Sequence, residues 1–315
     1  MMAQVNIKDG SFEKTFDQDV VRHYHSRSLY NGYFGFGWCS ELETSLITGQ
    51  DRILTLKDCT LGYAITFDKI YKNVYISAAL PEERIIWKDG IFTRHVGGGK
   101  EQRFDSKGKL TSSTNAQGKS RILAYDRMGT LSAITDHQGQ IYTVKMDSFG
   151  QKIIEISSNI KNRFKYIYFG DDLLEVQHSG NSIYKYDYDK LHNLTQVITL
   201  IQRKATTEKL RYNPEKDWVL EYIDEKSCQE LYQYRFTDAD HYFAEAQRFC
   251  KNEKPKSASY EFFQKVHKQG FKFLDRVVIT AKNGTDSSKI FEVKYDAFSG
   301  TPLNTQTRRI ANDEK

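Results

Sequence analysis

The sequence predicts an all-β protein made of antiparallel hairpins, on two observations. Residues 101–195 repeat with a period of about 21, and Asp105, Asp126 and Asp147 occupy the same point of successive copies. The 315 residues include 20 Tyr and 19 Phe but 4 Pro and 4 Met, and aromatic side chains suit the pleated, half-buried surface of a strand. A fixed period in this range indicates one supersecondary unit that is stacked many times.

Each copy of the repeat reads as two short strands and two turns. In the best copy, residues 121–125 alternate and lead into the turn 126–129, and residues 131–134 form the return strand. A second turn then ends at Gly139, which lies 21 residues after its counterpart Gly118. Because Gly, Asp and Asn interrupt the chain about every ten residues, a helix is disfavoured and a continuous antiparallel meander is predicted.

The turn residues have separate tasks. We expect Asp105, Asp126 and Asp147 to bond the local backbone, and Gly129 to take the positive φ that the turn needs. By period these carboxylates also form a ladder, but equivalent positions two strands apart are separated by about 9.6 Å. That distance is too long for two of them to share a proton or one Ca²⁺, so we interpret them as turn caps.

The chain divides into three segments along its length. Residues 1–100 form an N-terminal entry or cap segment, 101–200 the regular repeats, and 201–310 degenerate repeats that continue the same sheet. The first segment would cover one end of the array, where an open sheet exposes backbone donors and acceptors. We predict that the polar residues 251–269 form a loop or a short helix, and that 293–300 is a terminal copy of the repeat.

The charge pattern argues against some classes of protein. The chain has 46 Lys and Arg against 41 Asp and Glu, a net charge of +5, spread along its whole length. A nucleic-acid-binding protein would cluster its cations on one face, so no nucleic-acid partner is expected. No stretch of the sequence reaches about 18 consecutive apolar residues, so no transmembrane helix is predicted. The start of the chain as given lacks the basic and apolar regions of a secretory signal.

Four cysteines allow two disulfides in an exported protein. Cys39 and Cys59 are 20 residues apart, and Cys228 and Cys250 are 22 apart; none forms a C-x-x-C pair, so structural zinc is not expected. A disulfide requires Cα atoms within about 7 Å, whereas equivalent residues of neighbouring repeats are about 9.6 Å apart. A bridge therefore needs one cysteine out of phase, or an irregular segment. Two disulfides and buried free thiols both remain open.

Two motifs carry a resemblance to a known family. Residues 125–139 have the shape strand–Tyr-Asp-x-x-Gly-x-Leu–strand–Thr-Asp-x-x-Gly. Residues 22–38 run from an Arg-x-Tyr-x-Ser strand into a Gly-x-Phe-Gly-x-Gly-Trp turn. The first resembles the Tyr-Asp (YD) repeat of the Rhs family, and the second resembles the family's entry motif. Residues 5–12 also resemble the short strand that opens such modules.

The resemblance implies a broad β-sheet that spirals into a shell. In polymorphic toxins and insecticidal toxin complexes the shell encloses a toxic C-terminal domain, and in teneurin-like adhesion proteins a closed shell acts outside the cell. This chain lacks the Pro- and Asp-Pro-containing motif after which such shells release their cargo, and about 15 residues follow the terminal copy. We therefore expect a short family member without a C-terminal toxin domain, whose sheet is a curved or spiralling partial shell.

The entry motif contains two groups that could be mistaken for ligand sites. Gly35 and Gly37 lack the third glycine of a nucleotide loop, so we expect them to let the chain bend tightly around Trp38. His23 and His25 share one strand face but have no third ligand nearby in sequence. No metal and no cofactor are predicted.

One candidate binding surface is aromatic. The side chains of Tyr184, Tyr186 and Tyr188 share one face by alternation. Such a row could hold a sugar or an unfolded polypeptide, or it could pack in the core. Both interpretations remain open at this point.

These observations favour an interaction protein over an enzyme. No Gly-x-Ser-x-Gly elbow or His-Glu-x-x-His motif occurs. The leading hypothesis is a non-catalytic bacterial β scaffold that is extracellular, surface-attached or periplasmic, as the resemblance implies, and that binds an unknown protein or a surface glycan. The alternatives are a shell component of a toxin-delivery system, holding a separately encoded effector, and a glycan-acting enzyme. Self-association through the sheet edges is a further option.

Overall fold

The computed structural model describes residues 4–8, 21–26, 28–49, 53–59, 63–159, 162–179, 181–201, 204–216, 218–238, 240–267, 270, 272–283, 289–295 and 302–309. The chain forms two compact units. The N-terminal unit contains Ala3–Leu194 and Ile198–Ala205, and the C-terminal unit contains Thr195–Val197 and Thr206–Lys315.

The N-terminal unit consists of strands joined by short turns, with 3-10 turns at Glu41–Glu43 and Gly97–Gly99. Its strands are β1 (Gln4–Lys8), β2 (Val21–His25), β3 (Asn31–Gly32), β4 (Gly35–Phe36), β5 (Trp38–Ser40), β6 (Ser45–Thr48), β7 (Ile53–Asp58), β8 (Tyr63–Tyr71), β9 (Val74–Ile76), β10 (Arg84–Lys88), β11 (Ile91–Val96), β12 (Lys100–Phe104), β13 (Leu110–Thr114), β14 (Ser120–Tyr125), β15 (Leu131–Thr135), β16 (Ile141–Met146), β17 (Ile153–Asn159), β18 (Asn162–Phe169), β19 (Asp172–His178) and β20 (Asn181–Tyr188).

A long antiparallel sheet runs through this unit. From β6 to β20, every strand pairs with the next one along the chain. Strands β1, β2 and β5 form a separate three-stranded sheet, and β3 and β4 form a two-stranded one. Because consecutive strands are neighbours in the long sheet, alternate turns lie along the same edge of it.

The C-terminal unit uses the same type of connection with longer strands. The boundary between the units falls in β21 (Leu194–Ile201) and β22 (Lys204–Tyr212). From β22 onward each strand again pairs antiparallel with the next. The remaining strands are β23 (Val219–Ile223), β24 (Gln229–Phe236), β25 (His241–Phe249), β26 (Lys256–Val266), β27 (Lys272–Asn283), β28 (Lys289–Tyr295) and β29 (Pro302–Arg309).

A register shift lies beside the first turn of four repeats. It falls between Ala124 and Tyr125 in β14 and between Ile167 and Tyr168 in β18, and the same shift occurs near the ends of β12 and β16. The extra residue lies near the start of the return strand, as Ser132 does in β15 and Leu174 does in β19. Such a bulge bends the strand on which it lies.

The all-β antiparallel hairpin architecture predicted from the sequence is confirmed. One predicted element is wrong, because residues 256–266 form the 11-residue strand β26 and not a loop or helix. Tyr260 and Phe262 of this strand face Ala244 and Tyr242 of β25, and such cross-strand packing outweighs the polar composition of the segment. Residues 9–12 and 27 of the predicted entry region, and 296–300 of the predicted terminal copy, lie outside the described residues.

Candidate binding surface

Each repeat turn is closed by its first residue. In the turn at Asp126, carboxylate Oδ1 accepts the N–H of Thr130 at 2.8 Å, and the backbone carbonyl accepts the N–H of Gly129 at 2.9 Å. Asp105 and Asp147 close their turns by the same two kinds of bond. Gly129 has φ +79°, in the left-handed region where other residues are strained. The structure therefore places all four residues in turn-closing positions.

The tyrosine before the turn has a role that the sequence analysis missed. Tyr125 donates its hydroxyl hydrogen to the carbonyl of Leu110 at 2.8 Å, and Tyr188 donates to the carbonyl of Leu173 at 2.9 Å. Each hydroxyl ties one hairpin to the preceding one. The available signal was a constant spacing of 15 residues between the tyrosine and an aliphatic residue after the previous turn, which recurs at Tyr168–Ile153 and Tyr234–Val219.

The entry segment, residues 21–40, packs against the repeats of the N-terminal unit. The Tyr24 hydroxyl accepts the N–H of Leu194 at 2.9 Å. The Trp38 indole N–H donates to the Tyr188 hydroxyl at 2.9 Å. Both Tyr24 and Trp38 are buried, so the entry segment supplies a second layer of the core of this unit.

A buried arginine lies at the centre of this layer. The Arg22 side chain is buried, and Nη2 donates to the hydroxyl of Tyr186 at 3.1 Å. Cation–π attraction is stronger when the cation is desolvated, and the Arg22 guanidinium is surrounded by rings. Its central carbon lies between 5.3 and 5.8 Å from the ring centres of Phe34, Trp38, Tyr166, Tyr184 and Tyr186.

Gly35 and Gly37 let the entry segment pass close to its neighbours. Their φ angles are +93° and +75°. A Cβ at Gly35 would lie 2.3 Å from the carbonyl oxygen of Asp171, and a Cβ at Gly37 would lie 2.7 Å from the ring of Tyr24. Both the conformation and the space at these positions require glycine, directly before Trp38.

The predicted tyrosine surface belongs to this core. Tyr184 and Tyr186 stack on each other with ring centres 6.3 Å apart, and Tyr186 is buried. Burial also raises the pKa of Tyr188 well above its usual value, and its hydroxyl is engaged by Trp38 and Leu173. The interpretation of these three tyrosines as a ligand surface is therefore corrected, because the entry segment occupies the face that a ligand would need.

The four cysteines form two disulfides, Cys39–Cys59 and Cys228–Cys250. Cys39 lies in the small sheet and Cys59 directly follows β7 of the long sheet, so this bridge joins two sheets across an irregular segment. Cys228 precedes Gln229 and Cys250 follows Phe249, and those two residues are cross-strand partners. The second pair is therefore out of phase with the repeat and spans adjacent strands, with Cα atoms 4.3 Å apart.

A carboxylate fastens the end of the entry segment. Oε1 of Glu43 accepts the Tyr33 N–H at 2.6 Å and the Tyr30 hydroxyl at 3.0 Å, and Oε2 accepts the Ser40 N–H at 2.7 Å. Burial raises the pKa of Glu43 to about 7, although these hydrogen bonds pull it in the opposite direction. The Glu43 carboxylate thus holds Tyr30, Tyr33 and Ser40 together, and its pKa lies near neutral pH.

The C-terminal unit has an aromatic surface of a different kind. Trp218, Phe236, Tyr242 and Phe262 form a row of stacked rings that we call the aromatic ladder. Successive ring centres are 5.1, 5.6 and 4.6 Å apart, and neighbouring ring planes are inclined by 25°, 26° and 8°. Strand register sets this alignment, because Phe236 faces Tyr242 and Tyr242 faces Phe262 across β24, β25 and β26.

The ladder is partly exposed. Phe236 is 47% exposed, and the other three rings are half-buried. Nζ of Lys216 lies 4.9 Å from the ring centre of Trp218 and 4.8 Å from that of Phe236, so a cation ends the row. Tyr234 packs beside Trp218, and burial raises its pKa to about 12. Sequence reasoning missed this surface, since three of its members come from separate strands, Trp218 precedes a fourth strand, and the four share no common spacing.

The described residues give less support to a metal site or to a ligand pocket than to the aromatic ladder. Among the residues that the structure describes, no group of three or more His, Cys, Asp and Glu side chains could hold a metal ion. A shallow pocket of about 240 Å³ in the C-terminal unit is lined by charged groups that pair with each other, Lys265 with Asp275 and Arg276 with Glu292. No helix within the described ranges is long and apolar enough to cross a membrane.

Comparison with known proteins finds a family model that matches part of the repeat region. The RHS repeat family model matches residues 104–141, which include the turns at Asp105 and Asp126. Similar solved structures include a TcdB2–TccC3–TEV protein (TM-score 0.32) and a Tc holotoxin pore of Photorhabdus luminescens with a TccC3 mutation (TM-score 0.35), both at 10% identity. They match 93% and 98% of this chain, which spans 20% and 21% of theirs. No curated protein matches the chain. The match at 104–141 confirms the resemblance to the Rhs family that the YD motif indicated.

Proposed function

We propose that the protein is a non-catalytic Rhs-type scaffold that serves as a shell component of a toxin-delivery system and holds a separately encoded effector polypeptide. The RHS repeat at 104–141 supports the scaffold part of this proposal. The observation that carries the binding part is the aromatic ladder, which offers four aligned and partly exposed rings.

The repeat residues supply rigidity and little chemistry. The Asp126 carboxylate is engaged by a backbone N–H of its own turn, and the Tyr125 hydroxyl is engaged by the carbonyl of Leu110. A general acid or base must instead reach a substrate atom. The regular side chains of the repeat therefore favour a scaffold over a glycan-acting enzyme.

The aromatic ladder favours a polypeptide in an extended or unfolded state. Aromatic rings bury a large apolar area and attract other rings and apolar side chains. The rings of the ladder are already stacked, so binding costs little additional side-chain entropy. An unfolded polypeptide presents apolar side chains that a folded protein keeps in its core, and it can follow a row of rings that crosses several strands.

We place this scaffold outside the cytoplasm, as the Rhs resemblance implies. Cys39–Cys59 and Cys228–Cys250 support that location, since disulfides form and persist in oxidising compartments.

A surface glycan is a second candidate ligand of the ladder. Phe236 is 47% exposed, and the C–H groups of a sugar can pack against an exposed aromatic ring. Screening the full chain on a glycan array tests this candidate separately. Binding that disappears with Trp218→Ala would support it.

The proposed function is tested by titrating the full chain into fluorescently labelled α-lactalbumin. The carboxymethylated form cannot refold, and the native form is its folded counterpart. We expect saturable binding of the unfolded form only, and binding that is weaker by about tenfold or more in the double variant Trp218→Ala/Phe236→Ala.

The matched control is Tyr71→Ala, which removes an exposed ring from the N-terminal unit. Its Kd for the unfolded form should equal that of the unmodified chain. Equal affinity of all three proteins, or a preference for native α-lactalbumin, would contradict the proposal.

A further inference from the structure

One edge of the long sheet in the N-terminal unit presents apolar side chains at its turns. The turns 105–109, 126–130, 147–152, 170–171 and 189–193 alternate with the other turns of the meander, so they share one edge, which we call the first-turn edge. Four large apolar side chains project there, with 89%, 82%, 78% and 53% of their surface exposed. They are Met128, Phe149, Phe169 and Leu191.

These residues are unusual within the described chain. The four most exposed large apolar side chains among the described residues are Leu29, Met128, Phe149 and Phe169. Three of them project from the first-turn edge. Leu29 lies two residues before Asn31, whose side chain bonds the carboxylate of Asp171 on the same edge. Single exposed apolar residues are ordinary, but their concentration along one line is not.

The turns of this edge are in contact with one another. Lys152 Nζ donates to the carbonyl of Gly170 at 2.9 Å, and His192 Nδ1 lies 3.0 Å from the carboxylate of Asp172. The projecting side chains therefore sit on one continuous row, at the two-strand spacing of about 9.6 Å.

In four of these turns the two residues after the turn aspartate include three cations and no carboxylate, although each of those turns begins with an aspartate. The two residues that follow each turn aspartate are Ser106-Lys107, Arg127-Met128, Ser148-Phe149 and Lys190-Leu191. The aspartates point back into their turns, where each Oδ1 accepts backbone N–H groups. The exposed carboxylate of Asp171 is bound by Lys152 at 2.5 Å. In four of the five turns the outermost residues therefore combine three cations with apolar side chains, and the fifth turn presents Asp171 paired with Lys152.

The opposite edge shows that turn closure does not require this composition. The turns 115–119 and 136–140 are closed in the same way, by Asn115 and Asp136 accepting the N–H of Gln117 and Gln138. Both glutamines are exposed and uncharged. The two residues after the capping residue thus include a large apolar side chain, a Lys or an Arg on one edge only among these regular turns, although the turn 115–119 ends in the exposed Lys119.

We propose that the first-turn edge docks on an anionic lipid surface, with the four apolar side chains inserted between headgroups and the cations Lys107, Arg127 and Lys190 at the level of the phosphates. Apolar side chains flanked by Lys and Arg have the composition of an interfacial anchor, and the long cationic side chains can reach back to the headgroups. Tips about 9.6 Å apart leave gaps that fluid lipid fills, whereas a folded protein would need a matching series of grooves. The inference rests on residues outside the aromatic ladder.

The test is sedimentation of the full chain with vesicles of phosphatidylcholine alone, or of phosphatidylcholine and phosphatidylglycerol in equal amounts. We expect partition into the anionic vesicles only, and its suppression in about 1 M NaCl. Arg127→Gln/Lys190→Gln should weaken partition by about fivefold for each cation removed. Phe149→Ser/Phe169→Ser should weaken it by about tenfold or more.

The matched control is Gln117→Ser/Gln138→Ser on the opposite edge, which should partition like the unmodified chain. All of these positions are exposed, so we expect the melting temperature of each variant to equal that of the unmodified chain. This measurement shows that each variant is folded. Equal partition into neutral vesicles, no partition at all, or full partition of the phenylalanine variant would overturn the proposal. A stable dimer in solution that the phenylalanine variant abolishes, without lipid binding, would assign the edge to a protein and also overturn it.

Discussion

The two units use one repeat chemistry but treat their aromatic side chains differently. Asp126 in the N-terminal unit and Asp224 in the C-terminal unit close their turns through the same bonds to backbone N–H groups. Tyr188 and Tyr234 each bond a carbonyl 15 residues earlier. In the N-terminal unit the entry segment buries the rings, whereas Phe236 and its ladder neighbours in the C-terminal unit stay partly exposed.

The difference shows that the repeat pattern by itself does not define a binding site. The same residue types stabilise the fold where a second layer covers them, and they offer a contact surface where the rings remain accessible. The entry segment, which contains Arg22, Tyr24 and Trp38, covers the aromatic face of the N-terminal unit and therefore makes it part of the core.

Matched tryptophan substitutions separate the two aromatic clusters most strongly. Trp38→Ala removes a buried ring that also donates to Tyr188, so the free energy of unfolding should fall by about 3–5 kcal/mol. Trp218→Ala removes a half-buried ring and should cost about 1 kcal/mol. Urea unfolding followed by circular dichroism measures both. Equal losses would contradict the distinction between a structural and a binding cluster.

Matched glycine substitutions test how closely the entry segment is packed. Gly37→Ala combines a φ of +75° with a contact 2.7 Å from the Tyr24 ring, so the unfolding free energy should fall by about 3 kcal/mol. Gly118→Ala has a similar φ of +77° but nothing within 4 Å of its Cβ, and should lose about 1–2 kcal/mol through strain alone. Thermal unfolding of the two variants compares them, and an equal effect would mean that the space around Gly37 is not restricted.

Removing single tyrosine hydroxyls sharpens the comparison further. Tyr188→Phe breaks the bond to Leu173 and leaves the buried Trp38 N–H without its acceptor, which should cost about 2 kcal/mol. Tyr234→Phe breaks one bond to Val219 and should cost about 1 kcal/mol. Chemical denaturation measures the difference. A larger loss at Tyr234 would contradict the assignment of the two layers.

The turn carboxylate should have a smaller effect. Asp126→Ala removes the acceptor of the Thr130 N–H and should lower the unfolding free energy by about 1 kcal/mol. Asp126→Asn is the control, since Asn115 closes its own turn through Oδ1 and the variant should be nearly neutral. If both variants lose the same stability, the charge and not the hydrogen bond is what matters at this position.

The pH dependence that Glu43 introduces tests the entry segment in a different way. Because burial raises its pKa from 4.5 to about 7, the folded state binds the proton more tightly than the unfolded state. This contribution to stability is complete below pH 4.5 and is lost as pH rises through about 7. The melting temperature of the unmodified chain should fall as the pH rises through this range, and the melting temperature of Glu43→Gln should not show this fall. An identical decline in both proteins would assign it to other groups.

Features that depend on neighbouring residues could be predicted from the sequence. The turn at Asp126 is such a case, because the aspartate bonds an N–H four residues later and Gly129 takes the positive φ. The entry motif also predicted a tight bend at Gly35 and Gly37, and both have positive φ. In these positions local conformation alone selects the residue type.

Features that depend on strand register and on covering layers could not be predicted. The bond between Tyr125 and Leu110 appears only when adjacent hairpins are aligned. Alternation places Tyr186 on one strand face without indicating whether that face is covered. Tyr186 is buried, since the segment that covers it comes from a distant part of the chain. Conversely, nothing in the spacing of Trp218 and Phe262 indicates that they belong to one stacked row.

Hydrogen exchange measured with and without carboxymethylated α-lactalbumin discriminates directly between a partner held by the aromatic ladder and one held by the repeats of the N-terminal unit. The backbone amides of β24, β25 and β26 should exchange more slowly in the presence of the polypeptide, and those of β14 and β20 should be unchanged. Slower exchange confined to β14 and β20 would contradict the assignment of binding to the C-terminal unit.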